Sequence, residues 1–258
     1  MRFDRINEME QYVLQCRTVS LEDMANHFEI SMSTLRRDVN TLLDRGHIRK
    51  VYGGVAAMEN FTPVPMSVRS SKNREAKQRI GLLAASLVED GQTIFLDSGS
   101  TVLCLLPHLE ERKNVTIVTH SLSAMYEASK YPNLNVIALG GLYSSSTNSY
   151  VGISTLEALD HISVDTVFIA ATGISLERGL TNTTYFEAEI KRRVVLRGSR
   201  VVLLADHTKF DFISTLSFFD FKDLFAVVTD KQPSQAYMNV IDSNHIRLLC
   251  APETNPLS

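Results

Sequence analysis

The apolar positions follow one rhythm in the first sixty residues and another after residue 90. Phe3, Ile6, Met9, Val13 and Cys16 recur at spacings of three and four, the period of a helix with one buried stripe. Thr18-Val19-Ser20 is short and β-prone, and Ser20 stands before the acidic turn Leu21-Glu22-Asp23, where its hydroxyl suits a helix cap. Leu21, Met24, Ala25 and Phe28 then mark the buried side of a second helix. Ser31 caps a third helix that runs to about Arg45, and Gly46 suits the left-handed stop after it. Residues 46–52 read as a strand, Gly53-Gly54 as a turn and Val55–Met58 as a returning strand, so a two-stranded wing follows the third helix.

Residues 59–73 hold Pro63 and Pro65 with no clear period, and predict an extended linker. Helical spacing returns with Ile80, Leu83, Ala84, Leu87 and Val88 on one side of a helix over 74–88. Beyond Asp90, apolar β-rich runs at 93–97, 115–119, 136–139, 166–171, 200–205, 225–229 and 247–250 are separated by helical segments at 102–109, 121–131, 154–161, 185–197 and 234–244. Runs of this kind, separated by helices, predict a mainly parallel sheet buried on both faces. The fold class is therefore α/β: a winged helix-turn-helix over 1–58, a linker over 59–73 and a parallel α/β domain over 74–258.

Candidate chemistry lies in two places. On the third helix Leu35, Val39, Leu42 and Leu43 fall on one side, while Ser33, Arg37, Asn40 and Thr41 cluster opposite, flanked by Thr34 and Arg36. Arginine pairs with guanine edges, and hydroxyls or amides pair with phosphates and bases, so this face suits a major groove better than plain solvation. Arg49, Lys50 and Tyr52 of the wing would then lie beside the DNA backbone. Asp38, acidic beside DNA, reads as a residue that orients a neighbouring arginine. In the larger half, ligands of parallel sheets bind beyond the strands' carboxyl ends. Asp97-Ser98-Gly99-Ser100-Thr101, Thr119-His120-Ser121 and Gly140-Gly141 stand at three such ends. Glycine, hydroxyls and amides at a helix start suit an anion, and a phosphorylated small ligand is expected there ahead of simple capping.

Charge sharpens the picture. The formal charge is −3, divided as −1 over residues 1–60, +4 over 61–79 and −6 over the rest. An acidic bulk with a local basic focus fits a protein that meets a polyanion with one face only. Lys72, Arg74, Lys77 and Arg79 in that focus either approach DNA or are solvated. Apolar residues at 44% and charged residues at 21% exclude wholesale disorder. The three cysteines, far apart and without CxxC spacing, suggest neither disulfides nor zinc. His27, His47, His108, His161 and His245 show no ligand spacing. With no long apolar run and no signal-peptide core, the expected setting is a reducing cytoplasm with no membrane partner.

The string Ser31-x-x-Thr34-Leu35-Arg36-Arg37-Asp38-Val39, followed by Gly46, Arg49 and Gly53-Gly54-Val55-Ala56, resembles the DeoR-type bacterial repressors. That family commonly shows S-x-x-T-[LIV]-R-[RK]-D-L and a later H-G-G-A; Val39 here replaces leucine, and Tyr52-Gly53-Gly54-Val55 replaces the second motif. The resemblance continues through the Asp97–Thr101 loop, Gly140-Gly141, Thr172-Gly173, Glu187 with Lys191, and Asp206-His207-Thr208-Lys209-Phe210, and so covers nearly the whole chain. His120 falls where asparagine is usual. The resemblance implies an effector domain with the fold of ribose-5-phosphate isomerase and acyl-CoA transferases. It implies a sugar-phosphate effector held by residues that include Glu187, Lys191, Asp206 and Lys209, operator DNA as partner, and a homo-oligomer, dimer or tetramer. No cofactor, metal or catalytic residue is implied. The alternative is a sugar-phosphate isomerase or deaminase with a DNA-binding appendage, using Asp97, Glu187 and Lys209 as acid–base groups.

Overall fold

The computed structural model describes residues 2–16, 18–45, 48–57 and 64–251. Its contacts divide into two units, Met1–Thr62 and Pro63–Ser258.

The first unit holds helices α1 (Arg2–Cys16), α2 (Leu21–His27) and α3 (Met32–Arg45), and strands β1 (Thr18–Ser20), β2 (Ile48–Val51) and β3 (Gly54–Ala57). Ile6, Met9 and Val13 of α1 are buried against Met24 of α2 and Leu35, Val39 and Leu42 of α3. The side chain of Phe3 lies outside the described residues, and Cys16, expected in the buried stripe, is exposed at the end of its helix. Ser20 caps α2 by accepting from the Asp23 amide at 3.0 Å, and Ser31 caps α3 by accepting from the Thr34 amide at 3.3 Å. β3 pairs antiparallel with β2 on one side and β1 on the other. The wing's turn falls on Tyr52-Gly53, one residue earlier than the sequence suggests. Gly54 is instead a strand residue, because a Cβ there would lie 2.2 Å from the Val19 carbonyl oxygen. Gly46, His47 and Met58, expected in the helix stop and the strands, lie outside the described residues.

The second unit opens with α4 (Met66–Ser71) and α5 (Arg74–Ala85). The first corrects the expected extended linker. Pro65 sits at its N-cap, where a missing N–H costs nothing, and residues 66–71 contain no proline to stop the turn. Residues 59–63 lie outside the described residues. There follow β4 (Thr93–Leu96), α6 (Ser100–Leu103), β5 (Val115–Thr119), α7 (Leu122–Ala128), β6 (Leu134–Ala138), the hairpin β7 (Leu142–Ser144) and β8 (Ser149–Val151), α8 (Ile153–Asp160) and β9 (Val164–Ile169). Then come β10 (Gly173–Ser175), β11 (Gly179–Asn182), α9 (Tyr185–Val195), β12 (Gly198–Leu204), β13 (Leu216–Phe219), β14 (Ala226–Thr229), α10 (Gln235–Ser243) and β15 (Arg247–Cys250). Seven strands form one sheet in the order β15-β14-β12-β9-β4-β5-β6. Each neighbouring pair in it is parallel.

These are the seven predicted runs, each displaced by at most two residues. Two buried apolar clusters cover the sheet, one under α8, α9 and α10 and the other under α5 and α7. The expected helix over 102–109 is broken. Pro107 has no N–H to offer the Leu103 carbonyl, so one α-turn is followed by a 3-10 turn at Leu106–Leu109.

Candidate functional site

On α3 the predicted face is open to solvent. Ser33, Arg36, Arg37 and Asn40 are exposed and Thr34 and Thr41 half-buried, while Leu35 and Leu42 are fully buried beneath. Arg49 and Lys50 project from β2, and Tyr52 stands wholly exposed at the wing tip. Asp38 belongs to the buried side of α3. It pairs with Arg5 of α1, whose Nη2 donates to Asp38 Oδ2 at 2.6 Å and Nε at 3.1 Å. Arg36 and Arg37 on the outer face are open to a polyanion, and a part-buried ion pair behind them ties α3 to α1.

In the larger unit, the carboxyl ends of β4, β5 and β9 and the start of α9 bring several predicted residues together. Asp97 follows β4 and is fully buried. Its Oδ2 accepts from the Ala170 amide at 3.0 Å and pairs with Lys191 Nζ of α9 at 3.0 Å. Lys191 also donates to the Ala170 carbonyl at 2.6 Å and lies over the Phe218 ring. Glu187, one turn earlier on α9, accepts from Ser98 Oγ at 3.0 Å, Asn182 Nδ2 at 3.0 Å and Thr184 Oγ1 at 2.9 Å. The spacing of four between Glu187 and Lys191 puts both on one face of the helix.

His120, at the end of β5, stacks on Phe95 and is 0% exposed, yet neither ring nitrogen has a hydrogen-bond partner. Asp97 Oδ1 is likewise buried and unpartnered. Burial alone would raise the Asp97 pKa, but the charges of Lys191 and His120 and the Ala170 amide hold it below the ordinary carboxylate range. Burial pushes His120 below the usual histidine value, against the pull of the Asp97 and Glu187 carboxylates.

A second group adjoins the same loop. Asp206, buried after β12, accepts from Thr208 and is held low in pKa against its burial, chiefly by the charge of Lys209. Ser100 Oγ lies 3.2 Å from Lys77 Nζ. Lys77 corrects the expectation that the basic focus is solvated or turned to DNA: it is 4% exposed on the inner face of α5, and burial lowers its pKa to about 8. The signal for this was present, since Lys77 stands three residues before Ile80, within the apolar stripe.

Some predicted residues are committed to the fold. Thr119 Oγ1 donates to the Leu96 carbonyl at 2.6 Å, and Ser121 Oγ caps α7 by accepting from the Ala124 amide at 3.2 Å. Gly99 serves packing more than ligand approach, since a Cβ would meet Ala170 Cβ at 2.4 Å. Gly140 and Gly141 lie at the end of β6, the sheet edge, two strands from Asp97. Thr101 is buried in the first turn of α6. Asn182 and Thr184, which hold Glu187, were not singled out in the sequence; they belong to β11 and the α9 cap, short elements that leave little periodic trace. Among the described residues, no group of histidine, cysteine and carboxylate side chains is arranged to hold a metal ion, and no helix is long and apolar enough to cross a membrane.

Comparison with known proteins adds a consistent set of likenesses. The DeoR-like helix-turn-helix domain matches residues 5–61, and the DeoR C terminal sensor domain matches residues 72–231. The HTH-type transcriptional regulator IolR of Bacillus subtilis is 38% identical over 246 residues, covering 95% of this chain and 98% of that one. The HTH-type transcriptional regulator GolR of Listeria innocua is 32% identical, covering 91% and 92%. The glycerol-3-phosphate regulon repressor of Escherichia coli is 29% identical, covering 95% and 98%. A D-ribose-5-phosphate isomerase in complex with phospho-erythronic acid overlays with a TM-score of 0.41 and 17% identity, over 53% of this chain and 54% of that one. These three relatives, matched over 92–98% of their length, are named as regulators and repressors rather than as isomerases or deaminases.

Proposed function

The chain belongs to the DeoR family of transcriptional regulators, and from that premise we propose that it represses a carbohydrate-utilisation operon and leaves its operator when a phosphorylated sugar or sugar alcohol binds. Residues 1–58 read the operator and residues 74–258 bind the effector and assemble a dimer or tetramer, in the cytoplasm. Ser33, Thr34, Arg36, Arg37, Asn40 and Thr41 meet base edges and phosphates in the major groove, and Arg49, Lys50 and Tyr52 meet the flanking backbone.

The effector lies against Asp97, His120, Glu187 and Lys191, with its phosphate toward Ser100, Thr101, Lys209 and the adjoining Asp206 loop. Ser98, Gly99, Thr119, Ser121, Gly140 and Gly141 shape the walls. One observation carries this reading: His120 and Asp97 Oδ1 are buried without partners beside a buried ion pair. Each buried polar atom left unbonded costs about 1–3 kcal/mol, a deficit that a ligand rich in hydroxyls repays. The name of the Escherichia coli relative, a glycerol-3-phosphate regulon repressor, supports a phosphorylated effector.

The test is fluorescence anisotropy on an operator fragment from the chain's own upstream region, titrated with matched sugars and sugar phosphates. A phosphorylated compound should release the DNA, and its dephosphorylated counterpart should bind at least about a hundredfold more weakly. Equal potency of the two, or release by neither, overturns the proposal.

A further inference from the structure

The chain enters the larger unit through α4, and α4 is held by side chains that border the proposed phosphate position. The carbonyl of Arg69, in the last turn of α4, accepts from Ser100 Oγ at 3.3 Å and also from Lys77 Nζ. Asn73, between α4 and α5, has a left-handed φ of 53°, and its side-chain amide donates to Asp206 Oδ1 at 3.1 Å. The Arg69 guanidinium folds back on its own segment, with Nε donating to the Val64 carbonyl at 3.0 Å and Nη2 buried without a partner. Ser100 and Asp206 are thus shared between the effector position and the segment that joins the two units.

The sharing is unequal in strength. Lys77 is a buried ammonium whose bonds go to two uncharged oxygens, Arg69 O and Ser100 Oγ. An ammonium gains more Coulomb energy from an anion than from a neutral acceptor, and the difference is largest where both are buried. An anion beside Ser100 therefore draws Lys77 and Ser100 away from the Arg69 carbonyl. That carbonyl would lose both donors, and the buried Arg69 Nη2 already lacks an acceptor. Leaving further buried polar groups unbonded is costly, so an arrangement in which α4 shifts and returns them to partners or water becomes favoured.

We propose that α4 is a latch: in the effector-free protein Ser100 and Lys77 donate to the Arg69 carbonyl while Asp206 accepts from Asn73 as a second tie, and an anionic effector loosens α4 by taking the Ser100 and Lys77 donors, which passes occupancy to the segment leading to the DNA-binding unit. The proposal rests on the sugar-phosphate reading above and deepens it by naming the internal contact that the effector displaces.

Linkage supplies a test that a merely structural role would fail. If the anion and the latch compete, loosening the latch strengthens anion binding by the same factor by which the anion loosens the latch. Asn73→Gly keeps the left-handed backbone and removes only the tie to Asp206; Asn73 is not among the proposed effector contacts. Full-length wild type and N73G are titrated with inorganic phosphate by calorimetry, amide exchange over residues 64–73 is followed in the same samples, and operator affinity is measured without phosphate.

Phosphate should speed exchange across 66–72 in the wild type. N73G should exchange fast there without phosphate, bind phosphate about threefold to tenfold more tightly and bind operator several-fold more weakly. Phosphate that binds the wild type while leaving exchange over 66–72 unchanged overturns the latch but leaves the sensor reading standing. Unaltered phosphate and operator affinities in N73G do the same. The wild-type exchange comparison decides alone if the variant fails to fold, and absence of any phosphate binding sinks the sugar-phosphate reading and the latch together.

Discussion

Removing the Arg37 side chain should weaken operator binding by about 1–3 kcal/mol if it reads a base, while the melting temperature stays put, because the residue is exposed on the outer face of α3. Binding assays against operator and scrambled DNA over a salt series check this; equal affinity of Arg37→Ala and wild type on both would remove α3 as the reading helix. His120 poses a different question, since it is buried against charge with no bond to either nitrogen. His120→Asn, which installs the residue usual at that place, should leave the fold intact and change affinity for the cognate effector by at least about tenfold, as calorimetry beside a melting curve would reveal.

A third residue gives a pH signature. The hydrogen bond that His207 donates to the Asp230 carboxylate holds it above the ordinary histidine value of 6.5, although partial burial opposes it. The native chain then holds this proton more tightly than the unfolded one. The stabilisation is complete below about pH 6.5 and is lost as pH rises through the higher folded value. Melting curves of His207→Gln should accordingly fall furthest below wild type in mildly acidic buffer and converge with it in alkaline buffer.

Among elements, the wing depends on a backbone contact that no side chain can replace. Gly54→Ala drives a Cβ into the Val19 carbonyl, whereas Gly53→Ala meets nothing within 4 Å and only strains a φ of 75°. Urea titration should show a loss of about 1–3 kcal/mol for the first and about 1–2 kcal/mol for the second, and only the first should part β1 from β3 and depress operator affinity. The same contact explains why the turn was displaced by one residue in the sequence: a Gly-Gly pair names two candidates for a bend, and the choice is made by a strand more than thirty residues earlier. The inner strands were legible because burial on both faces leaves a run of apolar residues, while the edge strands β6 and β15 are only partly buried and carry shorter ones. The hairpin β7–β8 and the sheet of β10, β11 and β13 left no such run, because glycine, serine, threonine or asparagine interrupts or bounds their few apolar residues. Hence Asn182 and Thr184 were missed, whereas Glu187 entered through the family resemblance and not through any periodic signal. Lys77 was misjudged for the opposite reason. A lysine in an apolar stripe is usually a stem covering the surface, and its inward turn depends on Ser100 and Arg69, which only the folded chain brings near.

For the whole molecule, a single winged helix reads a short stretch of DNA, so the protein should assemble through its larger unit and meet a repeated or inverted operator as an oligomer. Sedimentation of the full chain at micromolar concentration is the check, and a monomer both free and on DNA would refute it. The order of the central sheet has a further consequence, which concerns synthesis. The described elements of the first unit end at Ala57, and its strand pairs span at most 38 residues, Thr18 with Ala56. β4, in contrast, has β9 as one neighbour, and Ile94 pairs with Thr166, so the middle of the sheet cannot form until that much later stretch has emerged. Chains fold domain by domain from the amino terminus, and distant pairings are slow. On the reading proposed above, a nascent copy therefore passes through an interval in which its operator-reading unit has emerged and the sheet of its sensor has not yet closed.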